Sequence, residues 1–170
     1  MDKIEELLKD PKTDLQKQAL TDKSYKKTPN NQDCKINFEL ATYGDAILKC
    51  ILCKIYFERE DEDNFGFKGK LTEWKKQYES DEVLVRVVAK HYKLLKFLKY
   101  DKKGNGKPKE QKPQDYDHKG QNDKDRHKYI ATAMEACIAA VYIENGENEV
   151  IEIVKKWIRW IDKETNSSDT

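Results

Sequence analysis

Residues 36–58 read INFELATYGDAILKCILCKIYFE and contain no proline. The apolar residues of this stretch recur at helical spacing on two faces, one formed by Leu40, Ile47, Ile51 and Ile55 and the other by Leu48 and Leu52. Apolar side chains on two faces predict a helix that is buried on most of its sides. Asp45 stands in the middle of this apolar stretch.

Other segments with helical periodicity flank this stretch, and none alternates at the period of two that is typical of strands. Asp2 and Glu5 predict an N-cap for a first helix, Ser80 predicts another N-cap, and Gly146 predicts a helix end. Helices are predicted over about 2–10, 14–24, 36–58, 81–98 and 127–145, and from about 150 onward. We therefore expect an all-α fold, with a single domain over residues 1–164 and a polar tail over 165–170.

Residues 101–127 contain no aliphatic side chain, but they contain eight Lys/Arg and six Asp/Glu. This composition predicts a flexible, solvated, lysine-rich insertion that is unusually long for a compact domain.

The composition of the chain limits the kinds of protein that it can be. Its 170 residues are 38% charged, yet the net charge is only +1, which taken alone argues against a strongly basic nucleic-acid-binding protein. Aromatic residues make up 10% of the chain and argue against disorder.

The sequence has neither a membrane-spanning stretch nor a secretory signal at its start, which predicts no membrane association and an intracellular location. The four cysteines lie mostly within apolar runs, where a free cysteine behaves as a small hydrophobe, and the Cys50–Cys53 pair is not expected to bind a metal or to be redox-active.

Two acids stand out because their helices are otherwise apolar. Asp45 lies in the stretch quoted above, and Glu135 is the only charged residue between Tyr129 and Ile143. Burying an ionised carboxylate without a partner costs several kcal/mol, so each acid must find a cation, become protonated or reach water.

If the two acids converge, their repulsion favours a divalent metal between them, and Mg²⁺ readily takes carboxylate oxygens while it keeps several waters. Hydrated Mg²⁺ bound in this way can activate water to attack a phosphodiester. The alternative is that Asp45 and Glu135 each pair with a lysine or threonine in the core. Composition alone does not decide between these two interpretations.

Four segments of the chain resemble, in order, the motifs of the ribonuclease III family. NFELATYGDAIL (37–48) resembles the signature N-E-R-L-E-F-L-G-D-A-V-L, and LQKQALTDKSYKK (15–27) resembles L-x-x-A-L-T-H-R-S-Y. GKLTEWKKQYESDEVL (69–84) resembles G-x-L-T-x-x-R-x-x-L-V-S-N-E-x-L, and YIATAMEACIAAVYIENG (129–146) resembles I-L-A-D-A-F-E-A-L-I-G-A-I-Y-L-D-G-G. The resemblance covers most of the chain.

The resemblance implies an all-helical nuclease domain that forms a homodimer and cleaves double-stranded RNA. The family uses Mg²⁺, with Mn²⁺ as a possible substitute, held by four acidic positions. Asp45 and Glu135 match two of these positions and are the expected catalytic residues and metal ligands. The other two are Ala41 and Thr132 here, and a further acidic position of the family is Lys68.

Half of the expected metal ligands are therefore missing. Glu39 cannot replace the acid lost at Ala41, because six residues before Asp45 it lies on another face of the helix. One Asp and one Glu can still hold a hydrated Mg²⁺, but a second metal ion would be hard to bind.

Binding of RNA would depend on lysine and arginine contacts with phosphates. Residues 68–112 contain fourteen Lys/Arg against six Asp/Glu, an excess of +8. On the helix predicted over 81–98, spacings of three or four residues separate Arg86, Lys90, Lys93 and Lys96, and this pattern predicts one basic ridge. The alternative is a charged helix face that is merely exposed to solvent. The candidate RNA-binding residues are Lys75, Lys76, Arg86, Lys90, Lys93, Lys96, Lys102, Lys103, Lys107 and Lys109. The aromatic side chains of Trp74, Tyr78, Trp157 and Trp160 are predicted to pack in the core or a dimer interface.

Three functions follow from these observations. The first is a ribonuclease III-type endoribonuclease that works as a homodimer on double-stranded RNA, in the processing of small or ribosomal RNA. The second is a module that keeps the fold to bind structured RNA or a partner without catalysis. In the third, the chain forms a heterodimer with an active relative.

Overall fold

Helix α7 (Asp123–Asn145) lies at the centre of the computed structural model, which describes residues 1–27, 31–59, 69–100 and 123–167. Between Ile130 and Val141, every residue except Thr132 and Glu135 is buried. A helix buried over three turns needs apolar neighbours on all sides, and α7 contacts helices from both halves of the chain.

Helix α3 (Phe38–Arg59) has the most extensive contact with α7. Its bounds agree with the predicted 36–58 to within two residues. Both of its apolar faces are buried, which confirms the prediction of a helix enclosed on most sides, and the buried residues are Leu40, Ala41, Gly44, Ile47, Leu48, Ile51, Leu52, Ile55 and Tyr56.

The remaining α-helices pack around this pair and complete one hydrophobic core. The Asp2 side chain accepts a hydrogen bond from the backbone N–H of Glu5, and the Ser80 hydroxyl caps the helix that follows it in the same way, as predicted. The described residues form no strand, so the all-α class is confirmed. These helices are α1 (Lys3–Lys9), α2 (Asp14–Ala19), α4 (Lys70–Glu79), α5 (Asp81–Val83), α6 (Lys90–Tyr92) and α8 (Glu147–Ser167).

The single helix predicted over 81–98 is wrong. Helix α5 passes into a π-helical segment, Leu84–Ala89, before the short α6. The chain then turns at Lys93, which has φ 55°, and a 3₁₀ turn follows over Leu94–Lys96. The predicted basic ridge is therefore not one α-helical face, because a π-helix has a wider turn and the left-handed residue redirects the chain.

Three other predicted boundaries change. Helix α2 ends at Ala19 rather than Ser24, because the chain beyond it bonds to other segments, for example through the bridge between Thr21 and Lys99. Helix α7 begins at Asp123, so the predicted insertion cannot extend to residue 127, and its remainder, 101–122, lies outside the described residues. Helix α8 begins directly after Gly146, which has φ 86°, and it continues into the predicted tail.

The aromatic residues predicted to pack in the core do so. Trp157 and Tyr78 are buried, and Trp74 and Trp160 are partly buried against the same cluster. None of the described helices is both long enough and apolar enough to cross a membrane.

Candidate active site

Helices α3 and α7 are in close backbone contact at Gly44. A Cβ atom at this position would overlap the backbone carbonyl of Glu135. Only glycine lets the two helix backbones come this near. The next residue along α3 is Asp45, so this contact brings its carboxylate beside Glu135.

The carboxylate of Asp45 forms an ion pair with Lys49, one helical turn further along α3. The distance from Lys49 Nζ to Asp45 Oδ2 is 2.6 Å, and the side chains of Lys49 and Asp45 are 44% and 35% exposed. The ammonium of Lys49 also lies within electrostatic reach of Glu79, at the end of α4, and of Glu135. The hydrogen bond that Lys49 donates to Asp45 is the main reason that the pKa of Lys49 is raised.

The carboxylate of Glu135 is half-buried and has neither a hydrogen bond nor an ion pair with any residue in the described ranges. Burial, the negative charge of Asp45 and then that of Asp81 raise the pKa of Glu135 to about 7, although Lys49 opposes them. A carboxyl group with such a raised pKa in a partly open site is a candidate functional group.

The structure thus brings together the two acids singled out in the sequence. Neither acid is deep in the core: both lie at the open edge of the contact between α3 and α7. Asp45 has the lysine partner required by the alternative interpretation, whereas Glu135 has none among the described residues.

The positions where the resemblance predicts further acids contribute no ligand. The Ala41 methyl group is buried in the core, and the Thr132 hydroxyl donates a hydrogen bond to the backbone carbonyl of Lys128 at 2.7 Å. Lys68 lies outside the described residues.

A metal ion at this site would have few protein ligands. Within the part of the chain that the structure describes, no three His, Cys, Asp or Glu side chains are close enough to hold a metal together. Asp45 and Glu135 nevertheless suit one hydrated Mg²⁺, since this ion often takes one or two carboxylates and keeps its waters. The half-buried carboxylate of Glu135, which forms no hydrogen bond or ion pair with a described residue, is the observation that favours this fit. Lys49 would have to leave Asp45.

Sequence reasoning missed three residues of this site: Lys49, Glu79 and Asp81. The spacing of four residues between Asp45 and Lys49 is a recognised signal for an ion pair on a helix and could have identified Lys49. Asp81 lies in the first turn after the Ser80 cap, where acids are common on any helix. The sequence contains no local sign that the start of α5 reaches Glu135.

The candidate RNA-binding residues differ in their surroundings. Lys75 pairs with Glu79 at 3.2 Å and Arg86 with Glu82 at 2.7 Å, so their charges are partly neutralised. Lys90 is half-buried, whereas Lys76, Lys93 and Lys96 are exposed. The remaining candidates, Lys102, Lys103, Lys107 and Lys109, lie outside the described residues.

The fold is similar to that of the nuclease domain of ribonuclease III from Campylobacter jejuni. One crystal structure of that domain has a TM-score of 0.61 and 22% sequence identity, with 95% of this chain and 92% of that chain covered. A second structure of the same domain has a TM-score of 0.61, 21% identity and 94% coverage of both chains. It shows structural flexibility in a region of that domain involved in dimer formation. A family model described as Ribonuclease-III-like matches residues 12–160. The chain therefore belongs to the ribonuclease-III-like family.

Proposed function

We propose that this chain is a ribonuclease III-type endoribonuclease that binds double-stranded RNA and hydrolyses its phosphodiester bonds with Mg²⁺ during RNA processing. The observation that carries this proposal is the contact at Gly44, which brings Asp45 beside Glu135, a carboxylate that pairs with no residue in the described part of the chain. These acids occupy two of the positions expected to bind metal from the family resemblance. Two acids on different core helices are held at a fixed separation, as metal binding requires.

The roles of the side chains follow from their positions. When bound, Mg²⁺ (or Mn²⁺) would activate a water molecule and stabilise the leaving oxygen of the phosphodiester. Asp45 and Glu135 would hold and orient the cation. Lys75, one turn before Glu79 at the edge of the site, would turn from that acid to a phosphate of the RNA.

Exposed apolar side chains support a homodimer as the working form. Phe38 and Tyr43 on α3 are 58% and 47% exposed, and Phe57 and Ile143 are also more than half exposed. Exposed apolar side chains mark protein interfaces where they form a contiguous patch. The C. jejuni nuclease domain also has a region involved in dimer formation.

A specific observation favours a second function. The ion pair between Lys49 and Asp45 gives the site a cation of its own, and Ala41 and Thr132 provide no acid. These features suit a module that binds structured RNA without cutting it, as a homodimer or paired with an active relative. The two functions differ in one measurable outcome, cleavage.

The experiment is cleavage of a long RNA duplex by the purified chain in Mg²⁺ or Mn²⁺, compared with the same reaction in EDTA. We expect metal-dependent products from the wild type and none from the double variant Asp45→Asn, Glu135→Gln. Glu152→Gln is a matched control, because this acid lies on α8 with its side chain 71% exposed. Absence of products from wild type at high protein concentration, or unchanged products from the double variant, rejects the nuclease. Duplex binding that survives in the double variant would then support the second function.

A further inference from the structure

We propose that Lys49 acts as a built-in competitor of the divalent cation for Asp45 and so sets the metal affinity of the site. This inference rests on the proposed function, since it takes Asp45 and Glu135 as the metal ligands. It concerns a residue that matches none of the family's acidic positions.

The position of Lys49 carries the inference. Its Nζ atom lies 2.6 Å from Oδ2 of Asp45, and the spacing of four residues on α3 holds the two side chains over the same turn. A cation that binds both Asp45 and Glu135 must occupy the space in front of these carboxylates. Lys49 therefore has to leave Asp45 before the ion can bind.

The surroundings of Lys49 strengthen the competition. The ammonium is attracted by Asp45, Glu79 and Glu135, and Glu135 is in turn affected by Asp81. Lys75 is a second cation near these acids, but it is paired with Glu79. Lys49 thus supplies the positive charge that the retained acids would otherwise obtain from a metal.

The exposure of Lys49 makes the competition reversible. With 44% of its side chain exposed, Lys49 can rotate into solvent without creating a cavity. A nearby ammonium repels a divalent cation, and at separations of a few ångströms near a surface this repulsion changes a binding constant by roughly tenfold. The wild-type site is then occupied only at high metal concentration.

The test measures metal binding to the full chain without RNA. Titration with Mn²⁺, followed by the loss of the free-ion electron paramagnetic resonance signal, gives the dissociation constant. We expect Lys49→Met to bind Mn²⁺ about tenfold more tightly than the wild type, because methionine keeps the length of the side chain but not its charge. Lys49→Arg keeps the charge and should bind as weakly as wild type.

Lys54→Met is the matched control. Lys54 lies on the same helix, is 43% exposed and pairs with Glu147, away from the site. Its loss should leave Mn²⁺ affinity unchanged. Adding Glu135→Gln to Lys49→Met should abolish the gain, which assigns the gain to this site. Thermal unfolding by circular dichroism checks that each variant is folded.

Two results would overturn the inference: Mn²⁺ affinity of Lys49→Met equal to that of the wild type, or a gain that persists after Glu135→Gln. The outcome is separate from that of the cleavage assay. A wild type that cuts RNA while Lys49→Met binds metal no better retains the nuclease and rejects the competitor. If the wild type never cuts RNA but Lys49→Met binds Mn²⁺ more tightly, the competitor role is retained and the nuclease is rejected.

Discussion

The Cα of Gly44 on α3 faces the backbone carbonyl of Glu135 on α7 so closely that no side chain fits between them. This contact lets the central helix pair pack closely and brings Asp45, the residue after Gly44, beside Glu135. A loss of the contact would therefore affect stability and the candidate site together.

Gly44→Ala should destabilise the fold by about 2 kcal/mol or more, because the new methyl group meets rigid backbone and the helices must separate. The measurement is chemical unfolding followed by circular dichroism. Thr42→Ala, at an exposed position on the same helix, is the control and should stay within about 0.5 kcal/mol of wild type. Equal stabilities of Gly44→Ala and the wild type would show that the helices are not this close.

Glu135→Gln should stabilise the metal-free protein at pH 8 and have no effect near pH 4.5. Burial and the neighbouring acids raise the pKa of Glu135 to about 7, so the ionised form destabilises the fold. The stability that the fold has with Glu135 protonated is fully present below the ordinary pKa of 4.5 and is lost as the pH rises through about 7. Glutamine does not ionise and avoids that loss.

The expected gain at pH 8 is up to about 2 kcal/mol, less than the full pKa shift implies, because the site is partly open to water. Thermal unfolding of wild type and variant across pH 4–9 in EDTA measures it. Glu152→Gln, at an exposed acid, should give no such pH-dependent difference. A variant less stable than the wild type at pH 8 would contradict the expectation.

The chain should sediment as a dimer, with twice the 20.0 kDa mass of one chain, at micromolar concentration. Replacing the exposed Phe38 and Tyr43 together by glutamine should raise the dimer dissociation constant at least tenfold, since their apolar area would lie in the interface. Sedimentation equilibrium measures both quantities. A wild type that is monomeric under these conditions argues against the homodimer.

Replacing the exposed lysines Lys76, Lys93 and Lys96 together by glutamine should weaken binding to an RNA duplex. The slope of log affinity against log salt should fall by about one for each lysine that contacts a phosphate. Mobility-shift titrations at several salt concentrations measure this slope. The control variant replaces three exposed lysines elsewhere, Lys12, Lys17 and Lys163, with the same change in net charge. Equal losses in the two triple variants would show that only total charge matters.

The sequence predicted the helices that build the site, because their signals are strong. The two-faced apolar pattern of α3 and the long apolar run of α7 each indicate a buried helix. The break at Lys93 was missed because lysine seldom has positive φ and neither glycine nor proline marks the turn. The π-helical segment is rich in valine and likewise has no local signal.

The candidate site was predictable in part for a similar reason. Asp45 and Glu135 are conspicuous because charged residues are rare in buried helices. Lysines are common on helices, so Lys49 does not stand out in the same way. Whether it meets Asp45 or turns to solvent depends on the rotation of α3 against α7, which tertiary packing determines.

Asp2→Asn should destabilise the fold at neutral pH, because Asp2 joins α1 to α8 through its charge. Burial alone would raise the pKa of Asp2, but hydrogen bonds from Lys156, the backbone of Glu5 and the Tyr92 hydroxyl outweigh burial and lower it. Such a group stabilises the fold fully above its ordinary pKa of 3.8, and the contribution is lost as the pH falls through the lowered value. Asparagine keeps the N-cap but not the charge, so the expected cost is about 1–2 kcal/mol at pH 7 and should be smaller at acidic pH. Unfolding by urea at pH 7 and pH 3 measures the difference, with the exposed Asp14→Asn as control, and a cost that is the same at both pH values would contradict the role of the charge.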